Sequence, residues 1–304
     1  MALAAILASV DPKPLIVHIT HDLRSPDLTS LDRDAVAELA DTLGCEFVHD
    51  AIQTRDLPGN QEQNARNARY DKLAQIAIEH SVRFIATGHH ADDQLESMIM
   101  NLARGAGPRG LSGIQDTRVY RNTTIIRPML GITHDDAVDL CHEIGIRFTH
   151  DHTNDDCSLT RNRLRHEVIP VLKEFRPEIA SRASVASDGC RATMDALRYF
   201  VRKHLWNLGD FQQSTLSWKR DALRDQPDAA LVELLRLSIE HLCDGSGFDR
   251  LNNASLHDVV RCVTDSSTEP RSCRLGPIVV KITARAVVIS PYESSLGLSI
   301  GDSP

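Results

Sequence analysis

The sequence predicts an α/β fold with a mainly parallel sheet, followed by a smaller, mostly helical domain that ends in a β-hairpin. Three observations predict it. Short apolar runs alternate with helical spacing as far as about residue 150, the rhythm of βα units around a parallel sheet. From Pro177 that alternation stops and long helical patterns take over. Near the end, Cys273–Leu275 and Ile278–Ser290 alternate apolar and polar residues, with a change of direction near Arg285, as a half-buried hairpin does.

Residues 1–9 have the apolar character of a helix body, with no cap and no preceding strand. Pro14–Thr20 is a continuous apolar run, hence a buried strand, and His21–Arg24 a loop. Ser30–Leu43 carries Leu31, Val36, Leu39 and Leu43 at helical spacing and stops at Gly44, a residue suited to helix termination. Cys45–Val48 reads as a strand, Asn60–His80 as a long helix and Arg83–Thr87 as the central strand. Asp92–Arg104 is helical, and the glycines of Arg104–Gly113 break it. Thr123–Ile126 is a strand. Thr133 caps a helix running to Ile144, with Asp136 placed for a capping box, and Ile146–Thr149 is a last short strand. Ser158–Lys173 is helical. Residues 178–205 form one long helical pattern, an arm and a candidate homodimer contact, and 228–243 and 254–264 are further helices. The expected domains are 1–175 and 176–304.

A sheet of this kind begins with a strand and a loop leading into its first helix, whereas here the first residues already lie in the helix. If that strand is central, the sheet is left with two unpaired inner edges, and the turn that most often cradles phosphate is missing. The expectation is that a strand and loop of ~10 or more residues belong before Met1.

The totals bound the function classes. A length of 304 residues suits about two domains. No apolar run reaches the ~18 residues of a membrane span, and the apolar start has no basic flank before it, unlike a signal peptide. Cys45, Cys141, Cys157, Cys190, Cys243, Cys262 and Cys273 are scattered and never spaced Cys-x-x-Cys. That argues against a zinc ribbon, an iron–sulfur site or a disulfide framework and fits the cytoplasm, with no membrane partner. The net charge of −8 does not suggest a non-specific nucleic-acid binder, though a local basic patch remains compatible with it.

The chemistry concentrates in Arg83–Ser97, where His89, His90, Asp92, Asp93 and Glu96 come after the central strand. Ligands bind outside the carboxyl ends of strands in open parallel sheets. Asp93 and Glu96 also read as a variant capping box whose acids suit the helix dipole, but that does not explain two adjacent histidines. Functionally, the carboxylates hold a cation, either Mg2+ or an amino group. A two-metal hydrolase is a further reading, unsupported by any second His-x-Asp set. Arg66 and Arg69 share a helix face, as solvated charges or as an arginine clamp for phosphate. Arg104–Gly113 is a turn or a mobile flap. Arg161, Asn162, Arg163, Arg165 and His166, with Lys173 and Arg176 beyond them, make a charged or phosphate-binding face diluted by Glu167 and Glu174.

Taken together, these segments resemble the tRNA(Ile)-lysidine synthetases of the PP-loop (N-type ATP pyrophosphatase, adenine nucleotide alpha hydrolase-like) superfamily. The similar stretches, in order, are Val17–Arg24, Ala65–Tyr70, Thr87–Ser97, Arg104–Gly113, Arg127–Leu130 and Asp151–Arg165, and Arg271–Ser290 looks like the family's terminal hairpin. The resemblance implies ATP-dependent ligation of L-lysine to the wobble cytidine of tRNA(Ile) with a CAU anticodon. ATP adenylates the cytosine carbonyl oxygen and pyrophosphate leaves; the lysine amine then attacks and AMP leaves. By resemblance, Asp93 and Glu96 hold the lysine, and His90 and Asp92 line the same site, Asp92 as a Mg2+ contact. Arg66 lies near ATP phosphate and the target base, with His18, Gly88 and His90 at the nucleotide. Arg104, Arg109, Arg161, Asn162 and Arg165 meet tRNA or AMP, and Gly105–Gly113 is a flexible loop.

Two departures accompany the resemblance. The superfamily's Ser-Gly-Gly-x-Asp-Ser is absent, and Met1–Leu7 looks like the family's residues directly after that motif. The natural start is therefore expected upstream, and the chain without that loop is expected to bind ATP and fold poorly. Asp22 stands where the family has Gly. Two other readings stay open: a non-catalytic relic that binds tRNA or a partner, and another PP-loop enzyme such as a tRNA thiolase, against which the lack of Cys-x-x-Cys counts.

Overall fold

Hydrophobic spacing decides which faces of the helices are buried, and the buried faces define two units. The computed structural model describes residues 1–10, 13–22, 26–146, 160–212, 214–243, 251 and 253–292. One unit comprises Met1–Gly105 and Gly110–Gly189, the other Ala106–Arg109 and Cys190–Pro304. The division at Gly189 falls inside a long helix, past the expected boundary at 175.

The first unit runs α1 (Ala2–Ala8), β1 (Ile16–His21), α2 (Pro26–Leu43), β2 (Phe47–Ile52), α3 (Gln61–Glu79), β3 (Phe84–Ala86) and α4 (Ala91–Ala103). It continues through α5 (Pro108–Leu111), β4 (Thr117–Tyr120), β5 (Thr123–Ile126), α6 (His134–Glu143), α7 (Thr160–Arg163), a π-helical turn (Leu164–Val168), α8 (Ile169–Phe175) and the start of α9 (Ile179–His204). Asn60 caps α3 by accepting from the Gln63 N–H at 3.0 Å, and Thr133 caps α6 in the expected box with Asp136. The strand expected at Ile146–Thr149 lies, from residue 147, outside the described residues, as do Arg24 and the part of the Asp151–Arg165 segment before Thr160.

The strands of this unit form two sheets. β1 pairs with β2 in parallel, and β3 pairs with β5 in parallel, with β4 antiparallel on the far side of β5. Among the described residues β1 and β3 each have one strand neighbour. Tyr70, Ala74 and Ala77 of α3 pack on Ile85 of β3 and the fully buried Ile125 of β5. Burying an isoleucine contributes roughly 1.5–3 kcal/mol, so this contact anchors the strand that leads into the histidine pair. Ala91 and Leu95 of α4 pack with Leu164, Ile169, Ala180 and Ala183, which sets the arginine-bearing turn beside α4.

The second unit adds β6 (Asp210–Gln212), β7 (Thr215–Lys219), α10 (Arg220–Arg224), α11 (Asp228–Leu242), α12 (Asn253–Thr264), β8 (Arg271–Leu275), β9 (Ile278–Ile282) and β10 (Ala286–Pro291). Its antiparallel sheet has the order β6-β7-β10-β9-β8, so where the sequence predicts a terminal hairpin there are three strands, β8, β9 and β10, and the sheet extends onto two more from residues 210–219. Leu216, Trp218, Leu234, Leu256, Val260, Ile278, Ile282 and Ile289 share one core. Arg220 is fully buried and donates to the carbonyls of Val263, Cys262, Asp265 and Ser267. That satisfies a charge whose burial is otherwise prohibitive. No helix among the described residues is long and apolar enough to cross a membrane.

Candidate functional site

The site is built where β3 ends. Ile85 is buried, so the chain leaves the sheet at Thr87 and passes through Gly88 and His89 before α4 begins. α4 starts at Ala91 with His90 in extended backbone as its N-cap, and the His90 N–H donates to Asp93 Oδ2 at 3.0 Å. The pair that closes the helix start is therefore His90 with Asp93, three residues on from the cap. This corrects the box of Asp93 with Glu96 that the spacing predicts. Glu96 lies one turn further in and is left to make other contacts.

Those contacts are arginines. Glu96 is fully buried; Arg161 Nε donates to its Oε2 at 2.6 Å and Arg165 Nε to its Oε1 at 2.7 Å. Arg161 Nη2 also reaches Asp93 Oδ1 at 2.9 Å, and Arg165 Nη2 lies 3.7 Å from the same oxygen. Asp92 is held separately: the His134 N–H donates to Oδ2 at 2.8 Å and Lys173 Nζ lies 3.0 Å from Oδ1, with His90 Nδ1 at 3.6 Å from Oδ2. Three carboxylates thus face three permanent cations. Burial raises the Asp92 carboxyl, but His90, His134 and Lys173 outweigh it and hold the group well below the usual range.

The two histidines behave oppositely. Burial lowers His89 to about 4, opposed by Asp93 and reinforced by the charges of Arg127, Arg66 and Arg161, so it is neutral at physiological pH. Its Nδ1 lies 2.9 Å from Thr87 Oγ1. His90 is pushed down by burial but raised on balance by Asp92 and Asp93.

The remaining residues singled out from the sequence are distributed around this cluster. Arg66 on α3 lies over the Tyr70 ring at 5.3 Å and acts on His89. One turn along α3, Arg69 lines a cavity of about 310 Å3 with His18 and Thr20 of β1 and Asp32 of α2. So α3 addresses both sheets, and His18 sits at the β1 cavity, its ring stacked on His49 at 6.1 Å. A Cβ at Gly88 would meet nothing within 4 Å, so the space beside that backbone is open. Asn162 is buried on α7, and Arg104 is exposed at the end of α4. Arg109 belongs to the second unit, where its Nη2 donates to both oxygens of buried Glu233 at 2.7 Å.

Lys173, His134 and Arg127 complete the site, although spacing alone does not assign them to it. Arg127 is 5% exposed, bonds the Gln115 carbonyl through Nη1 at 2.5 Å, and has a buried Nε with no partner among the described residues. Its place directly after a strand is the available signal. No group of three His, Cys, Asp or Glu side chains among the described residues is placed to hold a metal ion. Both Asp92 oxygens already receive a cation or an N–H, so the donor set does not fit Mg2+ at that carboxylate.

Residues 1–172 match the PP-loop domain family. A tRNA(Ile)-lysidine synthase of Bacillus cereus is 38% identical over 54% of this chain and 35% of its own length. One of Nostoc sp. is 29% identical over 84% of this chain and 77% of its own. The chain spans about a third of the length of the first of these relatives. A solved structure, the U34-tRNA thiolase NcsA from Methanococcus maripaludis with its 4Fe-4S cluster, overlaps 62% of this chain and 66% of its own, with a TM-score of 0.49 and 16% identity.

Proposed function

Because the chain belongs to the PP-loop domain family, we propose that it takes part in ATP-dependent ligation of L-lysine to the wobble cytidine of tRNA(Ile) with a CAU anticodon. The reaction proceeds through an adenylated cytidine, with release of pyrophosphate and then AMP. The observation that carries the reading is the carboxylate pair of half-buried Asp93 and fully buried Glu96 at the open end of a parallel strand. An acid pair with one fully buried member needs a cation partner, a place an alkylammonium ligand can take, since an unpaired buried charge is costly.

On this reading the chain's residues divide the work. Asp93 and Glu96 receive the lysine side-chain amine, which takes over bonds now made by Arg161 and Arg165. The arginines so released turn to nucleotide or tRNA phosphate, which a guanidinium fork binds well. Neutral His89 offers the amine an uncharged ring nitrogen. The cavity along β1 and His18 suits the adenine, which the open backbone edge of β1 can recognise, and Arg66 stands towards the phosphates. Mg2+ accompanies ATP phosphates in such chemistry, but the residues around Asp92 form no cage for it and no step is assigned to it. Residues 1–175 carry the nucleotide chemistry and 176–304 engage the RNA.

The test is incubation with ATP, lysine and a tRNA(Ile) transcript, then mass spectrometry of the nucleosides. A lysine-substituted cytidine is expected, and its absence from a chain that binds both ATP and the tRNA sinks the ligase reading. One observation favours a second reading, a non-catalytic tRNA- or partner-binding protein: Glu96 already has both oxygens taken by internal guanidinium groups. Pyrophosphate release from ATP in the presence of the tRNA rules that reading out.

A further inference from the structure

The geometry points to a nucleotide-binding subsite in the second unit, a cavity that takes one unpaired RNA nucleotide by stacking its base on Tyr199 and holding its phosphate with Arg202 and Lys203. The inference rests on the reading that this chain binds tRNA.

The cavity measures about 630 Å3 and is lined by Tyr199, Arg202, Lys203, Trp206, Asn207 and His241, among others. That is within the range of small-molecule sites. Its aromatic wall is fixed from behind. Buried Trp218 donates Nε1–H to the Leu205 carbonyl at 3.0 Å, and Trp206 packs against it at 5.9 Å. His241 meets Trp206 edge-on, with centroids 5.6 Å apart and planes at 72°. Phe211 already packs on both of these rings, at 4.9 Å from Trp206 and 6.1 Å from His241, so the base stacks at the rim on Tyr199, in the offset arrangement that aromatic systems favour. Tyr199 is 66% exposed at the rim.

The charges agree. Arg202 and Lys203 lie in the last turn of α9 and are exposed, with no acidic partner among the described residues. Lys203 Nζ is 5.6 Å from the Tyr199 ring centroid. Glu240 also lines the cavity, but Arg198 Nη1 neutralises it at 2.8 Å. Basic residues at a helix C-terminus also offset its dipole, which accounts for Arg202 and Lys203. It does not account for the exposed aromatics beside them, Tyr199 and the 44% exposed Phe200. Phosphate-binding cations interleaved with exposed rings are what single-stranded RNA recognition needs. The Asn207 side chain adds an amide able to meet a base edge.

The experiment titrates the full chain with a CAU-anticodon tRNA transcript by fluorescence anisotropy over a series of salt concentrations. Arg202→Ala with Lys203→Ala is expected to weaken binding roughly tenfold near 0.15 M salt and to lower the salt slope by about 1.5–2. Tyr199→Ala is expected to weaken binding roughly 5- to 150-fold with the slope unchanged, and Tyr199→Phe to restore it. All three positions are exposed, and matching melting curves check that the fold is kept. Wild-type affinity and slope in every variant overturn the subsite and leave the proposed function standing. Failure of the unmutated chain to bind the transcript overturns both.

Discussion

Arg161 clamps two carboxylates one turn apart on α4, meeting Glu96 through Nε at 2.6 Å and Asp93 through Nη2 at 2.9 Å. The fork of a guanidinium makes this possible, because its donors diverge in a plane where an ammonium offers a single point. The clamp ties the helix that carries the acids to a segment 65 residues further along the chain from Glu96.

The clamp predicts a stability effect. Arg161→Ala leaves Glu96, with no exposed surface, holding Arg165 as its one ion-pair partner among the described residues. Removing one partner of a buried charge group costs about 3–5 kcal/mol. Arg161 is itself 28% exposed, which lets water replace part of the loss and sets the expectation at about 2–4 kcal/mol. Urea unfolding measures it. A midpoint equal to that of the unmutated chain contradicts the clamp.

His89 predicts how stability depends on pH. Its folded value of about 4 lies below the ordinary 6.5, so the unfolded chain binds the proton more readily. The stability tied to neutral His89 is complete above pH 6.5 and is lost as pH falls towards 4, in total about 3 kcal/mol. His90 is shifted upward, so its contribution is complete below pH 6.5 and fades only above it, outside that window. His89→Asn, whose amide can replace the Nδ1 contact to Thr87, is expected to flatten the decline between pH 6.5 and 4 in chemical denaturation. An unchanged decline assigns it to other groups.

Legibility from sequence tracks chain distance. His90, Asp92 and Asp93 are neighbours at a strand-to-helix junction, and local spacing is enough to place them together. Which cations they meet is hidden, because Arg161, Arg165 and Lys173 arrive from another helical segment and no periodicity records such a pairing. β4 is illegible for a different reason. Thr117, Arg118 and Val119 are all exposed, Val119 at 76%, so the strand lacks the alternation that burial of one face imposes. β6 is exposed throughout, with the same effect. The glycines of 105–113 read as a turn or flap, yet the last of them is fixed by one buried side chain.

That side chain is Gln94 on α4, buried to 2% exposure. It accepts the Ile114 N–H at 2.6 Å and donates to the Ser187 hydroxyl. Gly113 has a φ of +59°, and a Cβ there would lie 2.6 Å from the Gln94 Oε1. Gly113→Ala therefore meets backbone strain of about 1–2 kcal/mol together with displacement of the Gln94 amide. The expected loss is about 2–4 kcal/mol. Hydrogen exchange at the Ile114 amide should rise with it. A variant as stable as the parent shows that the loop tolerates the change and that Gln94 does not hold it.

Asp93→Asn separates amine binding from nucleotide binding. The substitution keeps an oxygen to accept the His90 N–H, so the start of α4 is retained. It removes the charge that faces the Arg161 and Arg165 guanidinium groups and, on the proposed reading, the lysine amine. A charged hydrogen bond contributes about 1.5–3 kcal/mol, which corresponds to a lysine KM raised roughly 10- to 150-fold. The Kd for ATP, whose candidate contacts are His18 and Arg66, is expected to stay within about twofold, a change under about 0.5 kcal/mol. Steady-state kinetics in lysine and equilibrium titration with ATP read the two separately. Equal losses in both place Asp93 at the nucleotide and remove it from the amine site.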